Sequence, residues 1–234
     1  MTARGTIGVA ALTAMWCAPA ATPVVPLLAA PFGIELRLRS QHGIALTFDD
    51  GPHPQGTPAV LECLARANAR ATFFLVGEQV ERRPSLAAEI AAAGHEIAVH
   101  GYRHTLLLRR TPWELADDLA RAADVIGEAT GIEATTYRPP YGVFSTAGLM
   151  LARRRGWLPL LWSRWGRDWT TRATPASIAR RATRGLSAGD VVLLHDADFY
   201  SSAGSWAKTA AALPAIIDAA RAVGEPLVSA SQST

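Results

Sequence analysis

Short apolar runs rich in strand formers alternate along this chain with Ala- and Leu-rich stretches of helical period, and no internal repeat breaks the alternation. Strands separated by helices cannot pair as hairpins, because each crossover returns the chain to the same end of the sheet. The pattern therefore predicts a parallel β/α architecture. Strands are expected at 44–48, 71–75, 96–99, 135–138, 157–162, 190–194 and 226–228. Thr111-Pro112-Trp113-Glu114 combines an N-cap, a proline at the first helical position and a capping-box glutamate, and Gly131 closes the segment, so 112–130 reads as a helix. Thr174-Pro175 and Ser145 mark further helix starts, and Gly94 and Gly156 mark stops. Seven strands with intervening helices fit an α/β fold of the incomplete-barrel kind.

Polar residues cluster at one end of these strands. Asp49 and Asp50 follow the first, His100 the third, Arg138 the fourth, Asp168 a loop after the fifth, and His195 the sixth. In a parallel β/α barrel all carboxyl ends of strands share one rim, so residues far apart in sequence would meet there.

The two carboxylates of Thr47-Phe48-Asp49-Asp50-Gly51-Pro52 repel one another, and a cation or proton must relieve the pair if water is excluded. One could bind metal while its neighbour handles protons. His100-Gly101-Tyr102-Arg103-His104 supplies two imidazoles, and with one carboxylate they make a set that suits Zn²⁺ or another divalent transition metal and leaves positions open for water and substrate. In Arg138-Pro139-Pro140-Tyr141 two prolines stiffen the chain around a guanidinium that would orient a carboxylate, with Asp49 the best candidate. The apolar strand Val191-Val192-Leu193-Leu194 delivers His195, which can protonate a leaving group near neutral pH; Asp168 could hold that imidazole. Four of the seven tryptophans lie between Trp157 and Trp169, and Trp169 is the one favoured as a wall of the acyl pocket. His42, His53 and His95 sit in loop, turn and helix-stop contexts and are read as structural.

Taken in order, these five motifs closely resemble the polysaccharide deacetylases of carbohydrate esterase family 4 over roughly residues 44–196. The resemblance implies a distorted (β/α)7 barrel and assigns Asp50, His100 and His104 to the metal. It makes Asp49 the general base, oriented by Arg138, and His195 the general acid, supported by Asp168. Tyr141 would offer its backbone N–H to the oxyanion, and Trp169 and Leu193 would line the acetyl methyl pocket. The implied cofactor is a divalent metal, zinc first, with cobalt or another transition metal as alternatives. The implied reaction removes N-acetyl groups from an amino-sugar polymer or oligomer, peptidoglycan or chitin-like. Two positions depart from the family pattern: Gly101 stands where a Ser or Thr usually helps fix the loop, and Trp165 where an aspartate usually opens the fourth motif. They keep two rivals open, a superfamily relative acting on acetyl esters or non-sugar amides, and a non-catalytic glycan-binding module.

Length and composition bound the rest. The 234 residues suit one catalytic domain, residues 41–234, behind an N-terminal segment 1–40 read as a signal peptide or membrane anchor. Arg4 precedes a stretch, residues 5–34, without charge, whose run 7–17 resembles a secretory signal; Pro19, Pro23, Pro26 and Pro31 argue against one regular spanning helix. An extracytoplasmic location follows, secreted or anchored, with membrane association through that segment. The formal charge of +3 is scattered and carried by Arg apart from Lys208. That argues against nucleic acid and suits an anionic envelope polymer better. Cys17 and Cys63 offer no disulfide pair once a leader is removed and no activated thiol.

Overall fold

In the computed structural model, which describes residues 17–231, every strand pairing is parallel. In chain order the elements are β1 (Ala45–Asp49), α1 (Gly56–Arg66), β2 (Thr72–Leu75), α2 (Gly77–Arg82), α3 (Pro84–Ala92), β3 (Glu96–Val99), α4 (Pro112–Thr130), β4 (Thr136–Tyr137), α5 (Thr146–Arg154), β5 (Leu158–Pro159), β6 (Arg164–Trp165), α6 (Pro175–Thr183), β7 (Val191–His195) and α7 (Ser205–Ala222). The seven strands lie in the order β5-β4-β3-β2-β1-β7-β6, a curled sheet with helices outside, as the resemblance implied.

The central strands β1, β2, β3 and β7 are mostly apolar because both their faces are buried. Along β1 alternate residues point to opposite faces: Ala45 joins an inner cluster with Phe74, Ala98, Leu160 and Val191, while Leu46 and Phe48 join the larger cluster beneath the helices. Thr47 and Asp49 share the inner face with Ala45, which aims the Asp49 carboxylate up the barrel axis.

Two strand expectations are corrected. Residues 226–228 form only a bridge, in which Ile44 N–H donates to Pro226 O at 2.9 Å and Val228 N–H to Ile44 O at 3.0 Å. Pro226 has no N–H, so the ladder cannot extend. The seventh strand is instead β6, a two-residue strand of Arg164 and Trp165, and the expected 157–162 strand is confined to β5. Helix punctuation behaves as local chemistry requires: Thr111 and Glu114 form the reciprocal capping box of α4, and Gly131 closes it with φ 71°. Ser145 caps α5, and Thr174 caps α6.

The segment before β1 is part of this fold. Glu35 N–H donates to Pro159 O at 2.9 Å and its carbonyl accepts from Leu161 N–H at 2.8 Å, while Arg37 pairs with Asp190 before β7. Residues 35–38 thus lie across the seam between the sheet's edges. Leu38 enters the inner cluster, and Ala29 and Ile34 enter the outer one. Upstream, Ala18–Ala21 and Pro26–Leu28 form 3-10 turns. The apolar run 7–16 and Arg4 lie outside the described residues. Among the described residues no helix is long and apolar enough to cross a membrane.

Candidate metal centre and active site

Register assembles the mouth of the barrel. β1 and β7 pair so that Asp49 lies beside His195, and β3 and β4 pair Val99 with Tyr137, so His100 and Arg138 emerge together. Consecutive strand residues face opposite ways, yet Asp49 and Asp50 both reach this mouth. Asp50 does so by leaving the strand with φ 79°, a left-handed conformation uncommon for non-glycine residues and typical of strained functional turns.

Asp50 Oδ1 lies 3.4 Å from His100 Nε2 and 3.2 Å from His104 Nε2, and one ligand atom from each of the three falls within 4.8 Å of the others. His100 Nδ1 sits 2.8 Å from Arg138 O, which can only accept, so Nδ1 carries the hydrogen and Nε2 is the nitrogen turned toward the carboxylate. Asp50 Oδ1 is buried without a hydrogen-bond partner. Two imidazole nitrogens and an orphaned carboxylate oxygen converging away from water are what a divalent cation resolves, and the donor set fits one. Burial raises the Asp50 pKa, but His100, His104 and His195 outweigh it and hold the carboxyl below the ordinary range.

His104 Nδ1 has no hydrogen-bond partner, so stacking orients its ring instead. Tyr200 lies parallel to it at 4.1 Å and 9°, and Tyr141 meets it edge-on at 4.5 Å. Tyr200 is pinned by its hydroxyl, which donates to Glu78 at 2.8 Å and accepts from Gln79 Nε2 at 3.0 Å.

Arg138 is fully buried. Its Nη1 donates to Asp49 Oδ1 at 2.7 Å and Thr47 Oγ1 at 2.9 Å, its Nη2 to Leu161 O at 2.6 Å and its Nε to Leu160 O at 3.2 Å. The guanidinium rests 3.9 Å over the Phe74 ring. This arrangement leaves Asp49 Oδ2 3.9 Å from His100 Nε2, facing the Asp50, His100 and His104 donor set.

Across β7, Asp168 Oδ1 lies 3.0 Å from His195 Nδ1, and Oδ2 accepts from His195 N–H at 2.7 Å and Thr209 Oγ1 at 2.8 Å. Burial lowers the His195 pKa, yet the Asp168 charge and hydrogen bond, reinforced by Asp50 and Asp49, push it up to about 10. A cavity of about 340 Å³ joins these groups to an apolar wall of Trp162, Trp165, Trp169 and Leu193. Trp169 meets His195 edge-on at 5.4 Å, and Trp165 packs between Trp162 and Trp169. Tyr141, φ 61°, lies on the rim.

Gly101 has φ 91°, where a side chain is strained, and its loop is held without a hydroxyl. Asp118 accepts from Tyr102 N–H at 2.8 Å and Arg103 N–H at 3.3 Å. Away from the site, His53 Nε2 lies 3.2 Å from Asp198, and its Nδ1 accepts from Gly56 N–H at 2.9 Å. Burial pulls the pKa of His95 down to about 4, and His42 is exposed. Cys17 and Cys63 are free.

Sequence reasoning missed Asp118, Tyr200 and Thr209. Thr209 carried a faint signal as a polar residue on the inner stripe of α7; Tyr200 and Asp118 carried none, because their partners lie in other elements.

A family model described as polysaccharide deacetylase matches residues 38–157. The chain is 35% identical over 191 residues to a peptidoglycan-N-acetylglucosamine deacetylase of Bacillus cereus, covering 81% of this chain and 86% of that protein. It is 33% identical to a chitooligosaccharide deacetylase of Azorhizobium caulinodans, covering 80% and 91%. The crystal structure of the Bc1960 peptidoglycan N-acetylglucosamine deacetylase superposes with a TM-score of 0.79 at 27% identity, covering 86% of this chain and 92% of that one. By sequence and by fold, the chain belongs to the polysaccharide deacetylases of carbohydrate esterase family 4.

Proposed function

We propose that this protein hydrolyses the N-acetyl groups of an amino-sugar glycan, peptidoglycan or chitin-like, at the mouth of the barrel. The observation that carries the reading is a single cavity lined by Asp49, His195 and the Asp50, His100 and His104 donor set, with Arg138 buried behind Asp49 and Asp168 buried behind His195. A binding module needs neither of these two pairs.

Asp50, His100 and His104 would hold a divalent ion, zinc in first place, which supplies Lewis-acid activation when bound. Asp49, aimed by Arg138, takes the proton of the attacking water. The backbone N–H of Tyr141 donates to the oxygen that becomes negative in the transition state. His195 holds its proton at Nε2, since Nδ1 donates to Asp168, and delivers it to the departing amine, a leaving group too basic to depart unprotonated. Trp169 and Leu193 exclude water and receive the acetyl methyl. We place the reaction outside the cytoplasm. Any processing of the N-terminal segment falls before Ala29, because Ala29, Ile34 and Leu38 belong to the folded core.

Acetate release from peptidoglycan, chitin oligomers and acetylated xylan, with Zn²⁺, Co²⁺ or chelator added, tests the reading. Release from the N-acetylated glycans, abolished by chelator, is expected. Asp49→Asn should retain metal and lose at least ~10²-fold in turnover. Unchanged turnover with metal bound would remove Asp49 from the mechanism, and release from xylan alone would favour ester hydrolysis.

A further inference from the structure

Beside the catalytic cavity lies a second groove of about 560 Å³, lined by His104, Thr105, Leu106, Arg109, Arg110 and Tyr141. His104 and the exposed Tyr141 line both hollows, so the two adjoin at these residues. Two guanidinium groups and no carboxylate face this groove. Arg109, on the 3-10 turn Leu107–Arg109, is exposed and makes no ion pair or side-chain hydrogen bond among the described residues. Arg110 Nε is buried without a hydrogen-bond partner. Its nearest carboxylate, Glu114, stands 3.8 Å away and is committed to the α4 cap, accepting from Thr111 N–H at 2.8 Å and Thr111 Oγ1 at 2.9 Å. Arg109 is thus uncompensated, and Arg110 is only loosely balanced by Glu114 and by Asp117 and Asp118 in the neighbouring hollow, with its Nε free to donate; a carboxylate ligand supplies the missing charge, and a guanidinium matches it with paired hydrogen bonds.

We propose that Arg109 and Arg110 form an anion subsite for a carboxylate on a sugar adjoining the one whose acetamide enters the cavity. This inference rests on the deacetylase reading and narrows it: the preferred substrate is an anionic N-acetylated glycan rather than a neutral one. A carboxylate bound across Tyr141 would also fix the register of the chain, so that every productive encounter places an acetamide against His195 and Asp49.

The probe is an oligomer of alternating N-acetylglucosamine and N-acetylmuramic acid, compared with its methyl ester and with a neutral chitooligosaccharide of equal length. The parent protein should prefer the free acid over the ester about tenfold in kcat/KM, through KM, with the preference shrinking as salt is raised. In Arg109→Gln/Arg110→Gln the ratio of acid to ester should fall toward one. The single variant Arg109→Gln, at an exposed and unpartnered side chain, reports the same ratio if the double variant melts early. Equal rates on acid and ester in the parent, or an undiminished preference in the variants, would overturn the subsite. Calorimetric binding of the deacetylated oligomer, as acid and as ester, needs no turnover and separates the two claims. Carboxylate-dependent binding without acetate release from any glycan would retain the subsite and sink the deacetylase reading.

Discussion

Replacing Arg138 by Met removes the charge at the centre of the barrel while keeping most of the stem that packs over Phe74. Four hydrogen bonds disappear: the Asp49 carboxylate, only 3% exposed, loses its counter-charge, Thr47 loses a donor, and the carbonyls of Leu160 and Leu161 lose theirs. Breaking a buried ion pair by deleting one partner costs about 3–5 kcal/mol, because the remaining charge stays buried and uncompensated. At roughly 2–4 °C per kcal/mol for a chain of this size, the melting midpoint should fall by about 10 °C. The attribution is checked with Asp49→Asn and the double variant. Once the carboxylate is neutral, losing the guanidinium should cost less, giving a coupling of at least ~2 kcal/mol between the two substitutions. Denaturant or thermal unfolding should be followed in chelator, since an ion bound only by the folded state would stabilise all variants by mass action and blur the cycle. A coupling within about 0.5 kcal/mol of zero would refute the idea that Arg138 is retained for Asp49 and assign it to the carbonyls instead.

Two further outcomes follow from the site. Tyr200→Ala should weaken metal binding about tenfold in competition with a chromogenic chelator, because His104 lacks any hydrogen bond to orient it, whereas Tyr200→Phe, which retains the ring, should weaken it less; an Ala variant binding as tightly as the parent would remove Tyr200 from the support of the site. Asp168→Asn should move the alkaline limb of kcat to lower pH by ~1–3 units, because the proposed mechanism uses the acid form of His195, which is lost as pH rises through its pKa, and the charge that raises that pKa is gone. In the parent, the raised His195 pKa contributes stability that is complete below about 6.5 and fades as pH climbs through about 10, so Asp168→Asn should also flatten the alkaline fall in unfolding free energy; a limb and slope that do not move would refute the pairing.

Much of this molecule is legible in its residues alone. The alternation of apolar runs with helical segments specifies parallel strands, the Thr111–Glu114 box and Gly131 bound α4, and the polar residues at strand ends mark a shared rim, since each of these signals is local chemistry that a neighbouring residue satisfies. Other features required the folded chain. β6 is only two residues, Arg164 and Trp165, recruited by β7, the 226–228 run stops at a bridge because it contains Pro226, and residues 29–38, which adjoin and overlap the uncharged leader-like stretch, are drawn into the seam and core of the barrel. Tyr200 against His104, Asp118 beneath the Gly101 loop and Thr209 behind Asp168 were invisible for the same reason. A side chain's own type and spacing determine which face of an element it occupies, but which group it meets depends on the register and curl that bring distant elements together, and only packing decides those.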